Sequence, residues 1–435
     1  MQRAWHKLGL LCWTVAIALV AIACTGRSDP PRKAAPATSA KPAPGATKTP
    51  VDTLPAAVLA SLQKAGDATR GRKLVQKFEC NRCHDGTGLG AARLEMNCVH
   101  CHQKILAGTY KKAPASAVRK WKKHVAIMQV VPSLGSAGKR LKREWIARFL
   151  LSPHDLRPGL APTMPRLAIQ PAQARDIATY LTRGGKRAPA LSLDSADAKR
   201  GRALMEQKAC GTCHRFSGAP ALNVSPAPGS ELASRAIALA PDLRWVRDRY
   251  APAALVAWLE NPKLMKPDTL MPTFGLDKAE ARDIAAYLLE AKLVLTAQKA
   301  VPKRLPLLAR RVTFEEVDQR VFSRTCHHCH GNPDVALGDG GPGNTGGFGF
   351  FPRGLDLSSY RGVSGGLLDI HGERHSIFAP TKDGTPRLVA ALLARQREEA
   401  GHVDADLRGM PLGLPALSSA DIQIVASWVA QGRPR

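Results

Sequence analysis

DATRGRKLVQKFECNRCH (residues 67–84) and DAKRGRALMEQKACGTCH (residues 197–214) are two copies of one sequence pattern. Each copy begins with Asp-Ala, carries Arg-Gly-Arg at the same place and ends in Cys-x-x-Cys-His. The same pentapeptide occurs twice more, at residues 98–102 and 326–330. Of the ten cysteines, only Cys12 and Cys24 lie outside these four pentapeptides, so no cysteine remains for a disulfide within a folded domain.

The pentapeptide is the attachment signature of c-type haem. Two thiols separated by two residues can form thioethers with the two vinyl groups of one porphyrin, and the adjacent histidine ligates the iron. The four copies therefore predict four covalently bound haem c groups. The predicted attachment residues are Cys80, Cys83, Cys98, Cys101, Cys210, Cys213, Cys326 and Cys329, and the predicted iron ligands are His84, His102, His214 and His330.

Zinc is the competing interpretation of the first two motifs. Cys80, Cys83, Cys98 and Cys101 have a spacing close to that of a four-cysteine zinc ribbon. Both pairs are followed directly by histidine, which a ribbon does not need, and the other two motifs have no second cysteine pair nearby. A thioredoxin-like redox pair is disfavoured because no βαβ pattern surrounds any copy. The sequence favours haem.

The N-terminus predicts export and a lipid anchor. A basic start and the apolar run LGLLCWTVAIALVAIA (8–23) form the plan of a signal peptide over residues 1–23. The cysteine that follows makes the segment resemble a bacterial lipoprotein signal, in which Cys24 is lipidated. An uncleaved membrane helix is the alternative, but the run is short for a span. Residues 24–55, rich in Ala, Pro, Lys and Thr, predict a disordered tether. The haem domains are expected to face the periplasm or the cell exterior, with the outer membrane favoured.

The charge of the chain points to acidic partners. With 63 basic and 35 acidic residues, the net charge is +28. Such a balance favours redox proteins with acidic docking surfaces, or an anionic surface. Nucleic acid is not expected as a partner, because the predicted compartment is wrong and no aromatic-basic binding motif is present.

A second block repeats downstream of each copy. Met164-Pro165 precedes ARDIATYL (174–181), and Met271-Pro272 precedes ARDIAAYL (281–288). The order is helix, haem motif, loop, helix, Met-Pro loop and closing helix. This order resembles the class I cytochrome c fold.

The resemblance implies a mainly α fold of tandem class I cytochrome c-like domains around covalent haems, at residues 56–185, 195–295 and 311–435. In that family, a methionine on a later loop supplies the sixth ligand of the iron. Carried over by position, Met164 pairs with His84 and Met271 with His214. Met265 competes with Met271, which is preferred because Met164 holds the same place in the repeat.

The first domain departs from the second by extra residues around 90–115, which carry the second haem motif. The sixth ligand of this haem is open. His124, in RKWKKHV (119–125), is the preferred candidate, Met96 and Met128 are alternatives, and a surface histidine is the competing interpretation of His124.

The third domain begins with FEEVDQRVFSRT (314–325), which predicts a helix that leads into Cys326. Gly354–Tyr360 (GLDLSSY) resembles a segment that follows the haem motif in some cytochrome c domains, and Met410 is the implied partner of His330. His371 and His375 are four apart, so they could share a helix face as a metal pair or as alternative haem ligands. His327 and His328, at the variable positions of their motif, are expected to have no ligand role.

These observations predict a membrane-anchored tetrahaem cytochrome that transfers electrons between redox partners. The alternative is a haem enzyme, such as a peroxidase, that uses a haem with an open or labile sixth position; the second haem is the candidate. A redox or gas sensor is disfavoured because no signalling module is present.

Overall fold

The computed structural model describes residues 54–125, 130–160, 164–185, 189–227, 229–294, 299–332, 343–404 and 406–435. The predicted signal peptide, Cys24, Met128 and nearly all of the predicted tether lie outside these ranges. Across the ranges that are described, no helix is long and apolar enough to cross a membrane.

The described residues are mainly helical, as predicted. The helices before residue 190 are Ala56–Leu62 (α1), Ala68–Lys77 (α2), Cys98–Leu106 (α3), Ala115–Lys122 (α4), Ala137–Arg140 (α5), Arg143–Leu151 (α6) and Pro171–Leu181 (α7), with 3-10 turns at Cys80–Arg82 and Leu94–Met96. Helices α1, α2, α6 and α7 enclose a first core that includes Val75, Phe78, Trp145 and Ile177.

A second group of helices follows. Its members are Ala198–Gln207 (α8), Glu231–Leu239 (α9), Val246–Arg249 (α10), Pro252–Glu260 (α11), Pro262–Met265 (α12) and Lys278–Glu290 (α13), with 3-10 turns at Cys210–Thr212 and Leu243–Trp245. Helices α8, α11 and α13 enclose a second core that includes Met205, Leu255 and Ile284.

The third group contains the only strands in the described part of the chain. Its elements are Phe314–Val317 (α14), a π-helix at Asp318–Cys326, His327–His330 (α15), Tyr360–Gly365 (α16), Leu367–Leu368 (β1), Arg374–His375 (β2), Arg387–Glu399 (α17) and Ser419–Ala430 (α18). β1 and β2 pair antiparallel, with Leu367 opposite His375. Trp428 lies at the centre of a third core, fully buried among Phe314, Phe322 and Phe378. The domain boundaries inferred from the sequence stay a prediction.

The two repeated sequences fold alike. Asp67 caps α2 and Asp197 caps α8, each accepting a hydrogen bond from a backbone N–H of the first turn. The N–H of Asp67 donates to Asp176 Oδ1 on α7 at 2.7 Å, and that of Asp197 donates to Asp283 Oδ1 on α13 at 2.7 Å. The repeat thus places each helix that leads into a haem motif against the closing helix of its own group.

Glycines in the Arg-Gly-Arg tripeptides allow this close packing. A Cβ atom on Gly71 would lie 2.1 Å from the carbonyl oxygen of Asp176, and one on Gly201 would lie 2.0 Å from that of Asp283. Both neighbours are helix backbone, which cannot move aside as a side chain can.

The first and third groups are joined by polar contacts. Arg166 forms an ion pair with Glu398 at 2.8 Å, with both side chains largely buried, and donates to the carbonyl oxygens of Asp404 and Leu407. Arg408 donates in return to the carbonyl oxygen of Arg166 at 3.0 Å.

Aromatic side chains also join the first and third groups. Phe348 and Phe350 of the third group pack against the first core, and the backbone N–H of Phe348 donates to Glu79 Oε2 at 2.9 Å. The third group is therefore packed on the first through both its loop and its polar side chains.

Gly201→Ala should lower the free energy of unfolding by about 1–3 kcal/mol, because the added methyl group collides with the backbone of α13. The measurement is the urea midpoint of the full chain, followed by circular dichroism. Gly90→Ala is the matched control, since its Cβ would meet nothing within 4 Å. Equal midpoints for the two variants would contradict the close packing of α8 on α13.

Candidate haem sites

The motifs at residues 80–84 and 210–214 share one local geometry. Each follows a residue in the left-handed region, Glu79 at φ 50° and Ala209 at φ 53°, and then forms a single 3-10 turn. The turn ends the preceding helix and places the two cysteines of each motif on a tight loop.

The histidines of these two motifs are held in the same way. Nδ1 of His84 lies 2.8 Å from the carbonyl oxygen of Pro132, and Nδ1 of His214 lies 2.9 Å from that of Pro241. A carbonyl only accepts, so Nδ1 must carry the proton and Nε2 keeps its lone pair. This is the tautomer that ligates a metal through Nε2, with the second ring nitrogen held by an acceptor.

The surroundings keep both rings neutral. Burial lowers the pKa of His84 and of His214, and nearby arginine side chains lower it further. A neutral imidazole with a fixed Nδ1–H fits the proximal ligand of haem iron, so the residues at these two sites fit the group that the motif implies.

The predicted methionine ligands are half-buried at the edges of the three cores. Met164 packs against the first core, Met410 against the third, and both Met265 and Met271 against the second. Trp258 Nε1–H donates to Met271 Sδ at 3.1 Å. That bond fixes the thioether of Met271 and distinguishes it from Met265.

The second motif forms the start of a helix. Asn97 caps α3 by accepting from His100 N–H at 2.9 Å, and His102 is buried. Arg82 of the first motif donates from Nε to the carbonyl oxygen of Met96 at 3.0 Å. The Cys83 thiol is hydrogen-bonded to Cys98, which together with burial raises the pKa of Cys83. The first two motifs are therefore in direct contact.

The fourth motif follows a π-helix. The predicted helix over 314–325 is confirmed, but from Asp318 onward it has π geometry, and Ser323 Oγ donates to the carbonyl oxygen of Asp318 at 2.8 Å. Burial lowers the pKa of His330 to about 4, so this ring is neutral as well. The His328 ring lies near His102, with 6.3 Å between the ring centroids.

The structure places His124 on the surface. It follows α4, its backbone N–H donates to the carbonyl oxygen of Trp121, and its side chain is exposed. Its assignment as a sixth ligand stays a prediction. Met96, the alternative, lies in the 3-10 turn just before α3 and is half-buried.

The four cysteines of the zinc alternative do not lie close enough together to bind one ion. Among the described residues, the only group of three or more His, Cys, Asp or Glu side chains with ligand atoms within 4.8 Å of one another is Asp369, Glu373 and His375. The geometry of the first two motifs does not suit one tetrahedral zinc ion.

His371 and His375 do not share a helix face, so that expectation is wrong. They lie in and after the turn of the β1–β2 hairpin, where Gly372 has φ 82°. Asp369 Oδ1 accepts from the backbone N–H groups of His371 and Glu373, and Asp369 Oδ2 lies 2.8 Å from His375 Nε2. These bonds account for the cluster as a stabilised turn.

Comparison with known proteins identifies one domain. Residues 198–292 match the family model described as Cytochrome c. No curated protein and no solved structure matches the chain. The matched stretch contains α8, the Cys210–His214 motif, Met271 and α13. The chain thus contains a cytochrome c domain, and this family carries covalently bound haem c whose iron serves electron transport.

Proposed function

We propose that this chain is a tetrahaem c-type cytochrome that transfers electrons between redox partners. The observation that carries the proposal is the same hydrogen bond at two motifs, from Nδ1–H of His84 and His214 to a prolyl carbonyl oxygen. The second of these motifs lies in the matched Cytochrome c stretch. The first has the same turn, the same preceding helix and the same closing helix, so the same use is inferred for it.

The chain's own residues have three tasks in this proposal. The eight motif cysteines attach the porphyrins, and the four motif histidines ligate iron from one side. Met164, Met271 and Met410 ligate from the other side at three of the sites. Haem supplies the reversible ferrous–ferric couple, and Met/His ligation gives a comparatively high potential.

The spacing of the motifs supports electron transfer within the chain. Arg82 of the first motif donates to the carbonyl oxygen of Met96, just before the second motif, and the Cys83 and Cys98 side chains are close enough to interact, which joins the first motif to the second. His102 and His328 lie 6.3 Å apart between ring centroids, which joins the second motif to the fourth. Three of the four proposed haems would then be neighbours. No observation favours the peroxidase-like alternative.

The proposed partners follow from charge. A net charge of +28 favours docking to redox proteins with acidic surfaces, and association steered in this way weakens as salt is added. Anchoring through lipidated Cys24, with the haem domains in the periplasm or outside the cell, belongs to the same proposal.

The mature protein should carry four covalent haems, because it has four complete attachment motifs. The measurement is the mass of the denatured protein after expression with a haem-attachment system, together with its iron and zinc content. Replacing Cys210 and Cys213 by alanine should remove one haem and leave three. A mass with fewer than four haems, or zinc in place of iron, would refute the tetrahaem proposal.

Met271→Ala should open one iron to carbon monoxide and lower the potential of that haem, because a thioether ligand is lost. The charge-transfer band of Met-ligated ferric haem should weaken by about one third, since three haems are proposed to have Met ligands.

Met265→Ala is the matched control, as both methionines border the second core and only Met271 accepts from Trp258. If Met265→Ala weakens the charge-transfer band and Met271→Ala leaves it intact, the two copies of the repeat have been aligned wrongly at the Met-Pro loop. The assignment of Met164 as an iron ligand, which rests on the same alignment, then loses its support.

Cys24→Ala should abolish lipid attachment and leave the protein unprocessed as a lipoprotein, because the acylated thiol is gone. The measurement is metabolic labelling with a fatty acid, combined with membrane fractionation. Cys12→Ala, within the predicted signal peptide, is the control and should change neither. If lipid labelling and membrane association both persist in the Cys24 variant, the lipoprotein signal is refuted and an uncleaved membrane helix is favoured.

A further inference from the structure

The His102 and His328 rings lie close together at the boundary between the first and third groups. Their centroids are 6.3 Å apart and their planes are inclined by 58°. His102 closes the second attachment motif, and His328 occupies a variable position of the fourth.

This separation matches two imidazoles that share one metal ion. A metal–imidazole bond of about 2.0 Å places the centroids of two rings that bind one ion from opposite sides roughly 6 Å apart. The 6.3 Å between the His102 and His328 rings fits one metal ion held between them, although packed rings such as Phe314 and Phe322 also have this separation.

Both partners of the pair belong to fixed segments. His102 is buried on α3 between Val99 and Ile105. His328 lies next to His327, whose Nε2 lies 2.9 Å from Asp318 Oδ1 and 3.1 Å from the carbonyl oxygen of Leu357. These contacts hold His327 within its own group, whereas the His328 ring lies beside His102 of the first group.

The boundary around the pair is also fixed. Phe348 N–H donates to Glu79 Oε2 at 2.9 Å, the Arg82 guanidinium lies 4.9 Å from the centre of the Phe348 ring, and Arg166 pairs with Glu398. Arg82 belongs to the first motif and contacts the carbonyl oxygen of Met96, just before α3. The same contacts that hold the two groups together therefore hold α3 near the fourth motif.

We propose that His328 is the sixth ligand of the haem iron held by His102. This inference rests on the proposed function, and it replaces both His124 and the expectation that His328 has no ligand role. Both side chains are exposed, but it is the His328 ring that lies beside the ring of His102. The second haem would then have two histidine ligands and a lower potential than the Met-ligated haems. The loop that attaches the fourth haem would ligate the iron of the second, which places both centres on one path for electrons.

The test compares three single variants of the full, haem-loaded chain. His328→Ala should convert about one ferric haem in four from low spin to high spin and should let the reduced protein bind one carbon monoxide per chain. His327→Ala and His124→Ala should leave the electron paramagnetic resonance spectrum unchanged and should bind no carbon monoxide. Exogenous imidazole should restore the low-spin signal of the His328 variant.

Each other result overturns the inference. If His124→Ala opens the haem and His328→Ala does not, the ligand is His124. If the unaltered protein already binds carbon monoxide, or if neither variant opens a haem, His328 is not a ligand.

A second variant covers the case in which His328→Ala loses a haem during maturation. His328→Met should keep four haems and gain Met-type charge-transfer absorption, and four haems without that gain would overturn the inference. The number of haems in the unaltered chain is measured first. A count below four refutes the proposed tetrahaem function, whereas the choice of His328 as ligand is tested only by the variants.

Discussion

A buried carboxylate on each closing helix positions the attachment motif of its group. The side chains of Asp176 and Asp283 are both almost completely buried. Each accepts a hydrogen bond from the backbone N–H of the residue that caps the helix leading into the motif. Arg70 and Arg200 pair with the same carboxylates from the first turn of that helix. A buried charge is costly unless it is paired and hydrogen-bonded, and these bonds meet that requirement. The start of each motif helix is thereby fixed against the helix that follows the Met-Pro loop.

The protonation state of Asp176 follows from the balance of its contacts. Burial raises the pKa of Asp176, but the Arg70 side chain and the backbone N–H of Asp67 outweigh it, so the net pKa is lowered. A carboxyl group whose pKa is lower in the folded state than in the unfolded state stabilises the fold at pH values above the unfolded-state pKa. This contribution is lost as the pH falls through the folded-state pKa. At neutral pH the carboxylate therefore contributes fully, and the histidines, which burial keeps neutral, keep their lone pairs.

The sequence predicted the local features well because they are encoded locally. The repeated Asp-Ala, Arg-Gly-Arg and Cys-x-x-Cys-His residues lie close together in the chain, so the repeat could be recognised, and the matched Cytochrome c stretch falls on its second copy. The capping role of the Asp and the close packing at the glycine were found only in the structure. The i,i+4 spacing of His371 and His375 was misleading, because Gly372 and the turn around Asp369 form a hairpin there. The packing of Phe348 on the first core had no local signal, since it joins segments that are far apart in the chain. The proximity of His102 and His328 was missed for the same reason: it depends on how two distant groups pack, although the extra histidines of the fourth motif were visible.

The two copies of the repeat differ in what covers the attachment turn. In the second group, Thr212 Oγ1 is bonded to the backbone of Ser225 at 3.1 and 3.2 Å, so an ordinary loop covers the motif. In the first group, the equivalent residue Arg82 donates to the carbonyl oxygen of Met96, and the segment that it holds continues directly into α3 and the second motif. The inserted segment therefore takes the place of a covering loop, and its helix α3 buries Val99 and Ile105. The bond from Arg82 to Met96 fixes the chain just before Cys98, so the start of α3 and the second attachment motif lie next to the first motif.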